Sequence, residues 1–105
     1  MTGKAKKFDS DKPRLSHLPP WVIIDLMAVM EYGAGKYGTH NYLAGDMQDS
    51  RLYDAAIRHI LAHESGIFCD DESLSPHLLH AAASLLMLYA CYITDNINDD
   101  RMVLK

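Results

Sequence analysis

With 105 residues, 49% of them hydrophobic, this chain has the length of one folded domain whose own core is limited. That hydrophobic share excludes a disordered chain. A formal net charge of −4 excludes the global basic field on which binding to duplex nucleic acid relies.

The chain opens on "MTGKAKKFDSDKPRLSHL", so residues 1–12 read as a flexible basic tail and residues 13–105 as a single all-α domain. Lys4, Lys6, Lys7, Lys12 and Arg14 gather positive charge there, and a solvated tail accounts for them as well as an anion-gathering arm does. The first twenty residues hold no apolar stretch of the signal-peptide kind. Cys69 and Cys91 lack CxxC spacing, which fits reduced thiols in a cytoplasmic protein. Asp25, Glu31, His77, His80 and Ser84 interrupt the longest apolar runs, so no membrane span is expected.

"LPPW" predicts a helix start, because proline is tolerated in the first turn, where its missing N–H costs nothing. From Trp21 to about Glu31 apolar residues fall on nearly every side, the pattern of a buried helix. In so short a chain, burial on every side suggests a subunit interface. This helix is expected to end between Gly33 and Gly38, where glycine loosens the backbone.

The segment "GAGKYGTHNYLAG", residues 33–45, then reads as a hinge-rich loop. Lys36 offers a point charge for a phosphate, Tyr37 and Tyr42 offer flat faces for a base, and Asn41 offers a paired donor and acceptor. These groups suit a phosphorylated nucleotide. Glycines and tyrosines are also ordinary helix-to-helix loop residues, and the segment lacks the Walker spacing of a P-loop.

A second helix is predicted from about Ser50 to Ser65, with Asp49 or Ser50 as N-cap and Gly66 as its stop. "IFCDDESLS" is an acidic connector, and "SPHLLHAAASLLMLYACYITDN" makes a third helix with Ser75 as N-cap and Pro76 at the first helical position. Residues Met102 to Leu104 could continue a short fourth segment. No run of alternating strand character is present, so the expected fold is a small all-α bundle of three main helices plus that possible fourth.

Successive helical residues turn ~100°. Arg51, Asp54, Arg58 and Ser65 therefore form one stripe of the second helix, and His59 and His63 share another with Leu52 and Ala56. On the third helix His77, His80, Ser84 and Cys91 fall on one side. Histidine pairs set in apolar surface need partners, since an unpaired buried polar group costs ~1–3 kcal/mol. A transition metal, a phosphate or mutual hydrogen bonding would each supply them. Acids in the connector suit a hard divalent cation; for Asp71 a solvated loop accounts for the residue better.

Four segments, "KPRLSHLPP", "EYGAGKYGTHNYLAG", "DAAIRHILAHESG" and "DDESLSPHLLHAAASLLML", occur in an order and spacing that resemble the small phage-encoded dATP/dGTP diphosphohydrolases, the MazZ-like group. The similarity runs from Lys12 to Leu88. It implies an all-α, MazG-related pyrophosphohydrolase that converts a purine deoxynucleoside triphosphate to monophosphate and pyrophosphate, working as a homodimer or homotetramer with Mg²⁺ or Mn²⁺. By matching position, Lys36, Tyr37, Gly38 and Asn41 belong to the loop motif, Arg58 and His59 to helix two, Asp70 and Glu72 to the connector, and His77 and His80 to helix three. Two positions depart from the family pattern: Ile67, where an acidic residue often follows the glycine (with Glu64 close by), and Ser84, where an amide is common.

The chemistry so implied is attack of water on the α-phosphorus with expulsion of pyrophosphate. Asp70, Glu72 and Glu64 are the candidate metal ligands. His59, His77 and His80 are candidates to orient water, act as general base or bind phosphate. Arg58 and Lys36 would stabilise the triphosphate charge, with Tyr37, Tyr42 and Asn41 contacting base and sugar. Three rivals are weighed against this. A nucleotide-sequestering protein would keep the binding residues without an intact metal site. "HILAHE" imitates an HD-type metal motif, but the chain is too short for that fold. A purely structural helical protein would leave the embedded histidines without a reason.

Overall fold

The structure is a computed structural model that describes residues 3–103. Three helices carry it, α1 (Pro20–Tyr37), α2 (Asp49–Glu64) and α3 (His77–Ile93), with short 3₁₀ turns at Leu15–His17 and Asn41–Leu43. Among the described residues there is no strand, only two isolated β-bridges, so the all-α expectation holds. No helix among them is long and apolar enough to cross a membrane.

Pro19 and Pro20 start α1 as expected. The helix ends within the expected window of residues 33–38, at its far edge. It continues through Gly33 and Gly35 and ends only where Gly38 takes φ +99°. The segment predicted as loop is thus helical through Tyr37. Each interior glycine costs ~1 kcal/mol relative to alanine, but the last turn is held by side-chain bonds from Tyr32 and Lys36 to Glu72.

α2 begins one residue early. Gln48 stands at the cap position without a side-chain bond, while Asp49 turns inward and accepts a hydrogen bond from the Tyr92 hydroxyl. Neither Asp49 nor Ser50 caps. Instead Asp100 takes the Ser50 N–H, and the Asp49 N–H donates to the Asn98 carbonyl, so the segment after α3 closes the start of α2. α2 ends in a Schellman arrangement: Gly66 (φ +88°) donates to the His63 carbonyl and Ile67 to that of Ala62.

Ser75 does not cap α3 either. Pro76 holds that position, while the Ser75 N–H donates to Ser73 Oγ and its carbonyl accepts from Asp70. Residues 101–103 are irregular, so no fourth helix forms there, and Leu104 lies outside the described residues, as do residues 1 and 2 of the expected tail.

α3 packs mainly on α2 and more lightly on α1. The buried residues include Leu52 and Ala56 of α2 and Ala81, Ala83, Ser84 and Cys91 of α3, and α1 adds only Val29. Within the single chain α1 is therefore not buried on every side: Trp21 is 65% and Ile24 67% exposed. The radius of gyration, 17.8 Å, exceeds the ~13 Å of a compact chain of this length. Of the two thiols, Cys91 is buried and donates to the Tyr42 carbonyl, whereas Cys69 is exposed.

Candidate functional site

The α2–α3 connector folds back on itself. His77 donates its N–H to the Phe68 carbonyl, Asp70 to that of Ser75, and Leu74, at φ +62°, to that of Asp70. The Asp70 carboxylate closes the tip by accepting from the Glu72 and Ser73 amides, and the Ser73 bond is the chief reason its pKa is lowered. A flexible acidic linker is thereby turned into a shaped loop over the first turn of α3.

Under that loop three imidazoles meet. His59 of α2 and His77 of α3 face each other, Nδ1 to Nδ1, at 2.8 Å. The His80 ring stacks on His59 with centroids 4.6 Å apart and planes 13° from parallel. His80 Nε2 lies 2.6 Å from the Ser73 hydroxyl, whose oxygen already accepts from Ser75; donation of the Ser73 proton to His80 completes both groups. Burial, ahead of the charges of His80 and His77, lowers the His59 pKa, and burial likewise lowers that of His80. Both rings are therefore favoured as neutral bases.

At the rim, Tyr32 Oη and Lys36 Nζ converge on one oxygen of Glu72, at 2.6 and 2.8 Å. Lys36 is the main cause of the lowered Glu72 pKa, followed by Tyr32, and the same bond raises Tyr32. Glu31, Tyr32, Gly35, Lys36 and Glu72 line an open groove beside the histidines. The Tyr32 ring meets His80 edge-on, joining groove and cluster.

The structure thus brings together His59, His77, His80, Asp70, Glu72 and Lys36. Tyr37 is exposed at the end of α1, its ring 5.3 Å from Lys36 Nζ. Arg58 is exposed next to His59, and its charge adds slightly to the lowering of the His59 pKa. Three candidates stand apart. Glu64 is exposed and lies ~140° around α2 from His59. Asn41 and Tyr42 sit on the turn that meets α3 at Cys91, which is ~21 Å beyond His77 along the helix.

Sequence reasoning missed Tyr32 and Ser73 as site residues. Tyr32 is four residues before Lys36, a spacing that places both on one face once the glycine segment is taken as helix. Ser73 gave no such signal, since only loop closure brings it to His80. His63, on the predicted stripe, has a buried Nδ1 with no hydrogen-bond partner among the described residues.

A family model described as dATP/dGTP diphosphohydrolase, N-terminal, matches residues 2–101. A protein of Salmonella phage PMBT28 named dATP/dGTP diphosphohydrolase is 35% identical over 101 residues, which are 96% of this chain and 33% of that protein. The chain therefore spans about a third of the length of this curated relative. No solved structure matches.

Proposed function

The chain belongs to the dATP/dGTP diphosphohydrolase N-terminal family, and on that premise we propose that it hydrolyses a purine deoxynucleoside triphosphate to the monophosphate and pyrophosphate. The observation that carries this reading is the juxtaposition of an imidazole cluster, in which His59 and His80 are favoured as neutral, with a lysine-bearing groove, joined through Tyr32 and Glu72. The cluster offers proton acceptors and the groove offers charge for phosphate.

In this reading Lys36 transfers its ammonium from Glu72 to a phosphate oxygen, and Arg58, exposed beside His59, adds a bidentate contact. Water attacks the α-phosphorus and its proton passes to a neutral imidazole, His80 being the one that adjoins both groove and cluster once its Nε2 releases the Ser73 hydroxyl. The bond from the α-phosphorus to the bridging oxygen breaks, and pyrophosphate leaves with the electron pair. His59, Asp70 and His77 present donors suited to a divalent cation. Such an ion, when bound, supplies charge neutralisation at the phosphate oxygens and a water of lowered pKa.

A second reading is nucleotide capture without turnover. The relative's much greater length favours it, because chemistry there could reside in the two-thirds that this chain does not match. Incubation with dGTP or dATP and Mn²⁺ or Mg²⁺ separates the two. Release of monophosphate and pyrophosphate supports hydrolysis; stoichiometric binding with no product under either ion supports capture.

A further inference from the structure

One ring nitrogen each from His59 and His77 and one carboxylate oxygen from Asp70 lie within 4.8 Å of one another. We infer that His59, Asp70 and His77 form a binding site for a divalent transition-metal ion, taken in preference to magnesium. The inference rests on the proposed function only in sharing its site, and names the class of ion that site takes.

The donor set makes the first argument. Magnesium takes oxygen ligands, keeps several waters and gives up hydration reluctantly. Imidazole nitrogen suits zinc, copper, iron and nickel, and affinity for such donors rises along the first transition row. Two imidazoles against one carboxylate therefore select against magnesium.

Spacing makes the second. Ligands held by bonds of ~2.1 Å to one ion stand at most about twice that length apart; here the three donors all lie within 4.8 Å of one another and the two imidazoles approach to 2.8 Å, so one ion is within reach of all three after a small adjustment. The three residues come from α2, the connector and α3, and each is fixed by bonds outside the triad. Asp70 is held by two loop amides, His77 is buried with its N–H on the Phe68 carbonyl, and His59 is braced by the stacked ring of His80. Supports of this kind orient ligands before an ion arrives.

The other candidate donors nearby are already committed or point away. His80 Nε2 is engaged with Ser73, the Glu72 oxygen is taken by Lys36 and Tyr32, and Glu64 points off the histidine face. A set of three protein ligands leaves positions for oxygen from water or substrate, as catalytic rather than structural sites do.

The test uses the chelator-stripped protein without nucleotide, titrated with Co²⁺, Zn²⁺, Mn²⁺ and Mg²⁺ by calorimetry, with the visible spectrum of the Co²⁺ form recorded. Expected are one Co²⁺ per chain, an absorption diagnostic of nitrogen ligation, and affinity for Co²⁺ and Zn²⁺ at least about tenfold above Mg²⁺. His59→Gln and Asp70→Asn should weaken Co²⁺ binding by about tenfold or more, while Glu64→Gln leaves it unchanged. The near-isosteric Asp70→Asn, with helicity checked by circular dichroism, keeps the test valid should His59→Gln misfold. Equal affinity for Mg²⁺, absence of a nitrogen-ligated spectrum, or binding indifferent to both substitutions would overturn the site. Turnover of dGTP with any of those results would retain the proposed function and remove this site alone; the reverse outcome would do the opposite.

Discussion

His59 and His77 approach Nδ1 to Nδ1 at 2.8 Å across the α2–α3 interface, a distance that admits one hydrogen between them and not two. The contact thus couples the packing of two helices to the protonation of His59, and acid should loosen the fold.

Acidification tests this. The pKa values of His59 and His80 are lowered in the fold by burial, so between the ordinary histidine pKa of ~6.5 and the folded values the unfolded chain binds more protons. Stability should be full above that ordinary value and fall as pH drops below it, down to the folded pKa values. Thermal melts followed from neutral to mildly acidic pH should show the decline; a flat profile would separate these rings from folding.

Asp49 is buried and takes its hydrogen bond from Tyr92, whose pKa is pushed up to about 12 chiefly by that bond. A buried acceptor stripped of its donor costs ~1–3 kcal/mol. Tyr92→Phe should therefore lower the urea midpoint, whereas Tyr53→Phe, at an exposed position, should leave it in place.

Lys36 separates stability from recognition. Its bond to Glu72 is exposed, and such pairs contribute little to folding. Lys36→Met should leave the melting temperature nearly unchanged while weakening dGTP binding about tenfold to a hundredfold, the loss of one charge-assisted contact. Unchanged binding by calorimetry would remove the groove from the nucleotide site.

Gly35 lies inside α1, and a Cβ added there meets no atom within 4 Å. Gly35→Ala should stabilise the helix by ~0.5–1 kcal/mol. Because Gly35 also lines the groove, the same methyl should weaken nucleotide binding. A rise in stability with no change in affinity would place the nucleotide elsewhere.

Trp21, Ile24 and Met27 leave one side of α1 apolar and exposed in the single chain, and apolar residues grouped in this way mark an interaction surface. The homodimer or homotetramer expected from the sequence would cover it. Light scattering should give a multiple of 11.8 kDa, and Trp21→Glu should reduce it; a monomeric mass at micromolar concentration would refute the expectation.

The histidine stripes were legible because a helical period needs nothing beyond the sequence: His59 of α2 meets His77 and His80 of α3 across the helix interface. The helical state of Gly33 to Tyr37 was not, because glycine signals freedom and the bonds that steady this turn come from Glu72, 36 residues beyond Lys36. The caps failed for the same reason. Asp49 has the chemistry of a cap, but its carboxylate takes the Tyr92 hydroxyl, and at α3 the cap position is held by Pro76 while Ser75 gives its backbone N–H to Ser73. Asn41 and Tyr42 looked close to Lys36 in sequence, yet the turn at Gly38 directs them toward the far end of α3.

The unequal burial of the two cysteines has a practical use. With Cys91 sealed beneath Tyr42 and Cys69 open to solvent one residue before Asp70, a maleimide dye will attach at a single place, next to the shaped loop. Its emission would then report when that loop shifts as ions or nucleotides arrive, with no engineered residue required.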